Sequence, residues 1–152
     1  MSDYDYMTIY LAGAMTGKTL EEMNKWRKDV TRAIELSPDF RRMVRVVNPV
    51  LYYSTADDPQ KYDDDKEYIR WEWREAENAD VVISACDTKT NSIGTAVETA
   101  LAFKKNVPIV LYITNKDGDV CDVHPYLYYM ADKLFYHNEI DEMVKYIARY
   151  FS

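Results

Sequence analysis

The sequence predicts an α/β fold: one doubly wound (flavodoxin/Rossmann-like) five-stranded parallel sheet with helices on both faces, spanning residues 1–152 as a single domain. Short apolar runs alternate along the chain with longer segments of helical periodicity, the order that parallel βα units require. The run at 107–113 is apolar almost throughout, as in a strand covered on both faces. No internal repeat, low-complexity tract or Gly/Ser linker divides the chain.

Taken in order, residues 7–12 form a mostly apolar run closed by Gly13 and read as a buried strand. Over 19–36, Leu20, Met23, Trp26, Val30, Ala33 and Ile34 recur at helical spacing, and Thr19 with Glu22 makes a capping box at the start. Residues 44–47 read as a second strand, stopped by Asn48-Pro49. The tyrosine-rich, acidic stretch 51–66 contains Pro59 and reads as a loop over the site. A helix over about 64–78 leads into a third strand at 80–85. A helix follows at 92–105, with Ala96, Ala100 and Phe103 on one side, and then a fourth strand at 107–113. Residues 134–136 read as a short fifth strand and 139–151 as the closing helix. Sheets of this kind bind ligands beyond the carboxyl ends of their strands, so chemistry is sought in the loops after the first and third strands.

Composition narrows the function. With 47% hydrophobic and 30% charged residues the chain is an ordinary globular protein, and 152 residues suffice for a core without staples. A net charge of −7 argues against a nucleic-acid polymer as partner but leaves room for one small phosphate in a pocket. Cys86 and Cys121 are too far apart for a C-x-x-C pair and have no histidine spacing to complete a metal site. Neither metal nor organic cofactor is expected. With no signal-like or bilayer-length apolar run, the expected setting is cytoplasmic, with no membrane partner.

Three segments fall where chemistry is expected. Gly13-Ala14-Met15-Thr16-Gly17-Lys18-Thr19 resembles a P-loop but is one residue short of it. A phosphoryl-transfer enzyme using Lys18 is therefore the minor alternative, beside a plain strand-to-helix turn. In Asn91-Ser92-Ile93-Gly94-Thr95-Ala96-Val97-Glu98, a helix opened by Ser92 sets Glu98 in its second turn. The positive helix end there favours an ionised carboxylate, the form that attacks a sugar carbon in glycosyl transfer. The bland alternative is a charge on a solvated face. In Glu67-Tyr68-Ile69-Arg70-Trp71-Glu72-Trp73-Arg74-Glu75, Glu72 would face Glu98 across the cleft as the acid of a retaining pair. Trp71 and Trp73 cannot both face the core.

The ordered set Ile9-Tyr10-Leu11-Ala12-Gly13, Asn48-Pro49, Asn78-Ala79-Asp80 and Gly94-Thr95-Ala96-Val97-Glu98 resembles the nucleoside 2-deoxyribosyltransferase superfamily over most of the chain. The resemblance implies Glu98 as nucleophile, Tyr10 as its orienting partner, and a homo-oligomer with shared active sites. It implies a nucleoside or nucleotide substrate, met by Ser92, Gly94 and Thr95; Lys18 and the loop from Gly13 to Thr19 would add charge and N–H donors from the side opposite Ser92. His124 or Tyr126, from the aromatic loop at 123–130, would reach the neighbouring subunit's pocket. Two positions depart from the deoxyribosyltransferase pattern. Glu72 stands where an aspartate usually meets the base. Ser92 stands where those transferases hold the sugar 5′-hydroxyl with an aspartate, as in the related deoxynucleoside 5′-monophosphate N-glycosidases, where a serine contacts the phosphate. A carboxylate would repel that phosphate and a capping hydroxyl would accept it. The expected activity is N-glycosidic cleavage with transfer to water or to a second base. The competing expectation is a non-catalytic nucleotide-binding protein on the same fold.

Overall fold

Within the computed structural model, residues 5–15, 18–52 and 65–152 are described. Five parallel strands lie in the order β2-β1-β3-β4-β5, comprising β1 (Tyr6–Ala12), β2 (Met43–Val47), β3 (Val81–Cys86), β4 (Ile109–Ile113) and β5 (Lys133–Phe135). Helices α1 (Leu20–Leu36) and α5 (Ile140–Phe151) cover one face. Helices α2 (Asp65–Asn78), α3 (Ile93–Lys104) and α4 (Pro125–Met130) cover the other. The chain leaves β1 toward β2 on one side and later builds β3, β4 and β5 on the other. The topological switch therefore falls between β1 and β3, where a doubly wound sheet opens a cleft at its carboxyl edge.

Strand alternation assigns side chains to the two faces. Met7, Ile9 and Leu11 of β1 join Val81 and Ile83 of β3 and Val110 of β4 beneath Val30, Ile34, Met143 and Ile147. Tyr10 and Ala12 point the other way, with Val82, toward Ala76 and Ala102. Register in two strand pairs, β1–β3 and β4–β5, is held by the same device. Asp80 accepts from the Thr8 amide (2.7 Å) while its own amide donates to the Thr8 carbonyl (2.9 Å). Asp132 makes the same two-way clasp with Ile109, at 2.8 Å in each direction. Each carboxylate extends the ladder by one rung where a strand has not yet begun.

The helix ends follow their sequence signals. The Thr19 hydroxyl accepts from the Glu22 amide, and Ser92 caps α3 by accepting from the Thr95 amide. Asn106 ends α3 with φ 61°, the left-handed conformation asparagine tolerates. The amides of Asn106 and Val107 then close onto Phe103 and Ala102.

Several expected boundaries move. The aromatic segment 123–130 is not a loop: His124 Nδ1 accepts from the Tyr126 amide and starts α4, with Pro125 at its first position. The Asn48-Pro49 stop is a 3-10 turn, Pro49–Tyr52, in which Asn48 Oδ1 accepts from the Val50 amide. Of the segment expected to loop over the site, residues 53–64 lie outside the described residues, and α2 begins at Asp65. Strand β4 starts at Ile109, because Pro108 has no amide for a ladder bond. Trp71 packs on the core while Trp73 stays exposed, as the two-tryptophan argument requires. Among the described residues, no helix is long and apolar enough to cross a membrane.

Candidate active site

Tyr10 is placed by strand alternation alone. It is fully buried in β1 and faces α2 and α3, from which Glu72 and Glu98 descend. Both carboxyls are nearly sealed, with 5% and 6% of the residues exposed. The two carboxyl groups are hydrogen-bonded to each other. The Tyr10 hydroxyl stands between them, 3.5 Å from Glu72 Oε2 and in hydrogen-bonding contact with Glu98. Tyr68, one turn before Glu72 on α2, hydrogen-bonds to that carboxyl and donates to the Pro49 carbonyl at 2.7 Å. Glu72 is thus braced against the β2 end of the sheet.

Ionisation follows from this geometry. Burial pushes the Glu98 carboxyl well above the usual range, and the adjoining Glu72 pushes it further. Burial also raises Glu72, while hydrogen bonds from Glu98 and Tyr68 and the charge of Arg27 pull it back. Each carboxyl thus disfavours ionisation of the other, as neighbouring like charges do. This corrects the expectation of a Glu98 carboxylate kept ionised by its helix end. Glu98 sits beyond the first turn of α3, and its desolvation outweighs the dipole. Burial raises the Tyr10 hydroxyl as well, and both glutamates add to that rise, so Tyr10 stays a neutral donor.

A cavity of about 310 Å3 opens at the β1–β3 switch, lined among others by Ala14, Asp87, Ser92, Thr95, His124 and Tyr126; Tyr10, Glu72 and Glu98 are not among its described lining residues. Ser92 is fixed by a chain of hydroxyls. Ser84 lies 2.9 Å from Thr99 Oγ1, and Thr99 in turn donates to the Thr95 carbonyl at 2.6 Å. Thr95 donates both its amide (3.2 Å) and its hydroxyl (2.9 Å) to Ser92 Oγ. With both lone pairs of Ser92 engaged, its own proton is left to donate into the cavity. Gly94 is exposed on the same helix turn, and a Cβ there would stand 4.0 Å from Glu98 Oε1. The Cys86 thiol, half-buried at the rim, is held protonated by burial and by Asp87.

Not every expected residue converges. Lys18 lines a neighbouring cavity of about 400 Å3 with Lys25, Trp26, Tyr112 and Lys116, on the α1 side of the switch. Among the described residues, the two cavities share Ala14, Ala85 and Asp87. Lys18 therefore does not face Ser92 across one pocket as expected. Gly13 serves packing: a Cβ would fall 2.6 Å from Trp26 Cζ2 and 3.2 Å from Arg27 Nη2. His124 and Tyr126 line their own chain's cavity. Sequence reasoning missed Tyr68 and Arg27. The signals were present: Tyr68 lies four residues before Glu72, and Arg27 interrupts the apolar stripe Met23, Val30, Ile34. Among the described residues no group of three or more His, Cys, Asp or Glu is placed to hold a metal ion.

A family model described as "Nucleoside 2-deoxyribosyltransferase like" matches residues 6–116, which takes in β1 through β4 and all three residues of the acid cluster. The chain belongs to the nucleoside 2-deoxyribosyltransferase-like family. No curated protein matches it in sequence. Among solved structures, a conserved protein from Enterococcus faecalis V583 is 15% identical, with a TM-score of 0.69 over 93% of this chain and 99% of that one. A 2-deoxyribosyltransferase from Bacillus psychrosaccharolyticus is 14% identical, TM-score 0.62, over 88% of this chain and 90% of its own. A CMP N-glycosidase from Clostridium botulinum is 15% identical, TM-score 0.56, over 94% and 98%. At these identities the structural likenesses speak for the shared fold. Family membership supports an activity of the deoxyribosyltransferase or N-glycosidase type.

The raised Glu98 carboxyl has a consequence for stability. In the unfolded chain it titrates near 4.5 and in the folded protein higher, so between those values the folded state holds the extra proton. Stability therefore falls as pH rises through that window. Glu98→Gln removes the penalty. The variant should be more stable than wild type at pH 7.5 by about 0.5–2 kcal/mol, with the gap closing near pH 4. Thermal melts at the two pH values measure this, and a variant no more stable at pH 7.5 would refute it.

Proposed function

We propose that the protein cleaves the N-glycosidic bond of a 2′-deoxynucleoside 5′-monophosphate, or of the nucleoside itself, through a covalent glycosyl-Glu98 intermediate. The observation that carries this reading is the buried, hydrogen-bonded Glu72–Glu98 pair under the Tyr10 hydroxyl. Two acids sharing one proton already contain what the first step consumes: one carboxylate and one acid. When a substrate enters, the proton resides on Glu72 and the charge on Glu98. Glu98 attacks C1′ as the C1′–N bond breaks, the bond's electron pair leaves with the base, and Glu72 passes its proton to the departing nitrogen. Glu72 then takes a proton from water, whose oxygen bonds to C1′ and frees the Glu98 carboxylate. A second base in place of water makes the same step a transfer.

Contact between the carboxyls also bears on the route. A water-first, single-displacement mechanism needs acids about 6.5–9.5 Å apart, whereas the double displacement needs about 5 Å. The close approach of Glu72 and Glu98 favours the double displacement. Tyr10 steadies the pair by donating to it. The longer reach of Glu72 compared with aspartate matters less once Tyr68 and Pro49 fix where its carboxyl ends.

We further propose a homo-oligomer packed through the α2–α4 face. Each helix there presents an exposed pair at helical spacing: Ile69 and Trp73 on α2, Ile93 and Val97 on α3, Tyr126 and Tyr129 on α4. The rim of the Ser92 cavity belongs to the same surface, so a second copy seated on it would complete the site wall. Light scattering at working concentration should give at least a dimer. A fully active monomer would remove the shared site.

Two substitutions test the chemistry. Glu98→Gln keeps the shape and should lower base release to background, whereas Tyr10→Phe should cost about 1–3 kcal/mol of transition-state stabilisation, roughly 5- to 150-fold in kcat/KM. Base release by Glu98→Gln at wild-type rate would end the mechanism.

The Ser92 proton, aimed outward by the hydroxyl chain, suits an anionic acceptor at a helix start. A 5′-monophosphate should therefore have a higher kcat/KM than its nucleoside, and Ser92→Asp should erase or reverse that order. Equal kcat/KM for the two substrates in the wild type would refute the phosphate contact and leave Glu98 untouched.

A further inference from the structure

The family resemblance implies that Thr95 meets the substrate, yet only 3% of the residue is exposed and its hydroxyl proton is committed within the protein. Thr95 Oγ1 donates to Ser92 Oγ at 2.9 Å, and the Thr95 amide donates to the same oxygen at 3.2 Å. Thr99 Oγ1 donates to the Thr95 carbonyl at 2.6 Å and lies 2.9 Å from Ser84 Oγ on β3. Thr99 has one hydroxyl proton and the Thr95 carbonyl takes it, so Ser84 is the donor of the last bond. Neither Ser84 nor Thr99 has exposed surface. The turn of α3 that carries Thr95 is thereby tied to the sheet, and each hydroxyl proton from Ser84 through Thr99 to Thr95 has one direction.

A serine hydroxyl carries one proton and two lone pairs. Thr95 occupies both lone pairs of Ser92, so Ser92 can give a hydrogen bond and cannot receive another. Valine has the shape of threonine, and the Ser92 cap would survive on the Thr95 amide alone. What the Thr95 hydroxyl adds to the cap is polarity. That polarity matters because side-chain charge does not attract an anion to this cavity. Among the described residues that line it none is lysine or arginine, while Asp87 and Asp122 are acidic. A phosphate ester must then be told from a free alcohol by hydrogen bonding. The oxygens of a phosphate dianion only accept, whereas an alcohol brings a proton of its own that Ser92 has no lone pair left to receive.

We propose that Thr95 is a positioning residue that sets substrate specificity through Ser92: by filling both lone pairs it makes that hydroxyl a fixed donor for the oxyanion of a sugar phosphate. The proposal rests on the reading of the Ser92 cavity as the substrate site, but it is measurable without any turnover. Thr95 then acts on the substrate at one remove, and Ser84 and Thr99 hold it at the height where its hydroxyl meets Ser92. A purely structural Thr95 would reinforce the start of α3 and leave the choice of ligand to other groups.

The test is a calorimetric titration of the full chain with 2-deoxyribose 5-phosphate and, as its uncharged counterpart, 2-deoxyribose. Neither probe has a base to lose, so binding is read apart from chemistry. Wild type should bind the phosphate at least about 10-fold more tightly, the scale of one charge-assisted hydrogen bond. Thr95→Val frees a lone pair of Ser92 and should cut that preference by at least about 5-fold, whereas Thr95→Ser keeps the hydroxyl and should stay within about 2-fold of wild type. Loss of a merely structural contact would weaken both probes alike and leave their ratio unchanged. Circular dichroism establishes that each variant is folded, and should Thr95→Val not fold, the smaller Thr95→Ala carries the same comparison. An unchanged ratio in the folded variant overturns the proposal, and so does a wild type with no preference for the phosphate. Base release from 2′-deoxynucleoside 5′-monophosphates is followed separately. A wild type that prefers the sugar phosphate but releases no base refutes the glycosidase reading, while the ratios still decide the role of Thr95.

Discussion

Two carboxyl groups pressed together out of water disfavour each other's ionisation, and the architecture around β1 is arranged about that constraint. Tyr10 supplies a neutral hydroxyl between them, held neutral by the same burial. Tyr68 holds Glu72 from behind and ties it to Pro49. Bare Gly13 lets α1 approach the strand end. Removing either acid relaxes each of these requirements at once. The site is better described as one coupled titrating unit than as a nucleophile with helpers.

The fold was legible in the sequence because it rests on periodicity. Apolar runs at 7–12, 80–85 and 107–113 could be buried only as central strands, and the capping residues Thr19 and Ser92 marked helix starts to within a residue. What failed had a common cause. The aromatic content of 123–130 suggested a loop that needed a partner to cover it, but Pro125 and the His124 ring start a short helix whose tyrosines remain exposed. Burial is likewise invisible in one dimension. Glu72 sits in a segment dense with charge and reads as an exposed face, yet it is one of the most enclosed side chains of α2. Arg27 interrupts the apolar stripe of an amphipathic helix. Only the close approach of Gly13 to Trp26 shows why an arginine is there.

The carboxyl edge of the sheet divides its labour at the switch point. On the α3 side lies the Ser92 cavity. On the α1 side lies a cavity richer in lysine, with Trp26 and Tyr112 in its wall. Among the described residues, Ala14, Ala85 and Asp87 are common to both. A P-loop would bring its lysine and its helix start to the same phosphate. Here Lys18 and Ser92 belong to different cavities, which weakens the phosphoryl-transfer alternative on geometric grounds.

The two faces of the sheet also differ in what they can tolerate. Beneath α1 and α5 the core is built almost wholly from large apolar side chains. Beneath α2 and α3 it is built from alanines and valines, and Glu72, Ser84, Thr95, Glu98 and Thr99 are buried among them. Of the buried polar and charged residues described, only Arg27 comes from the other face, and its guanidinium binds the first residue past the end of β1. Desolvated acids are destabilising wherever they sit, so a fold that keeps them must be stable without them. The α1–α5 face meets that need with ordinary hydrophobic burial. The sheet thus separates stability from chemistry by strand alternation, and Gly13 marks where the two halves communicate.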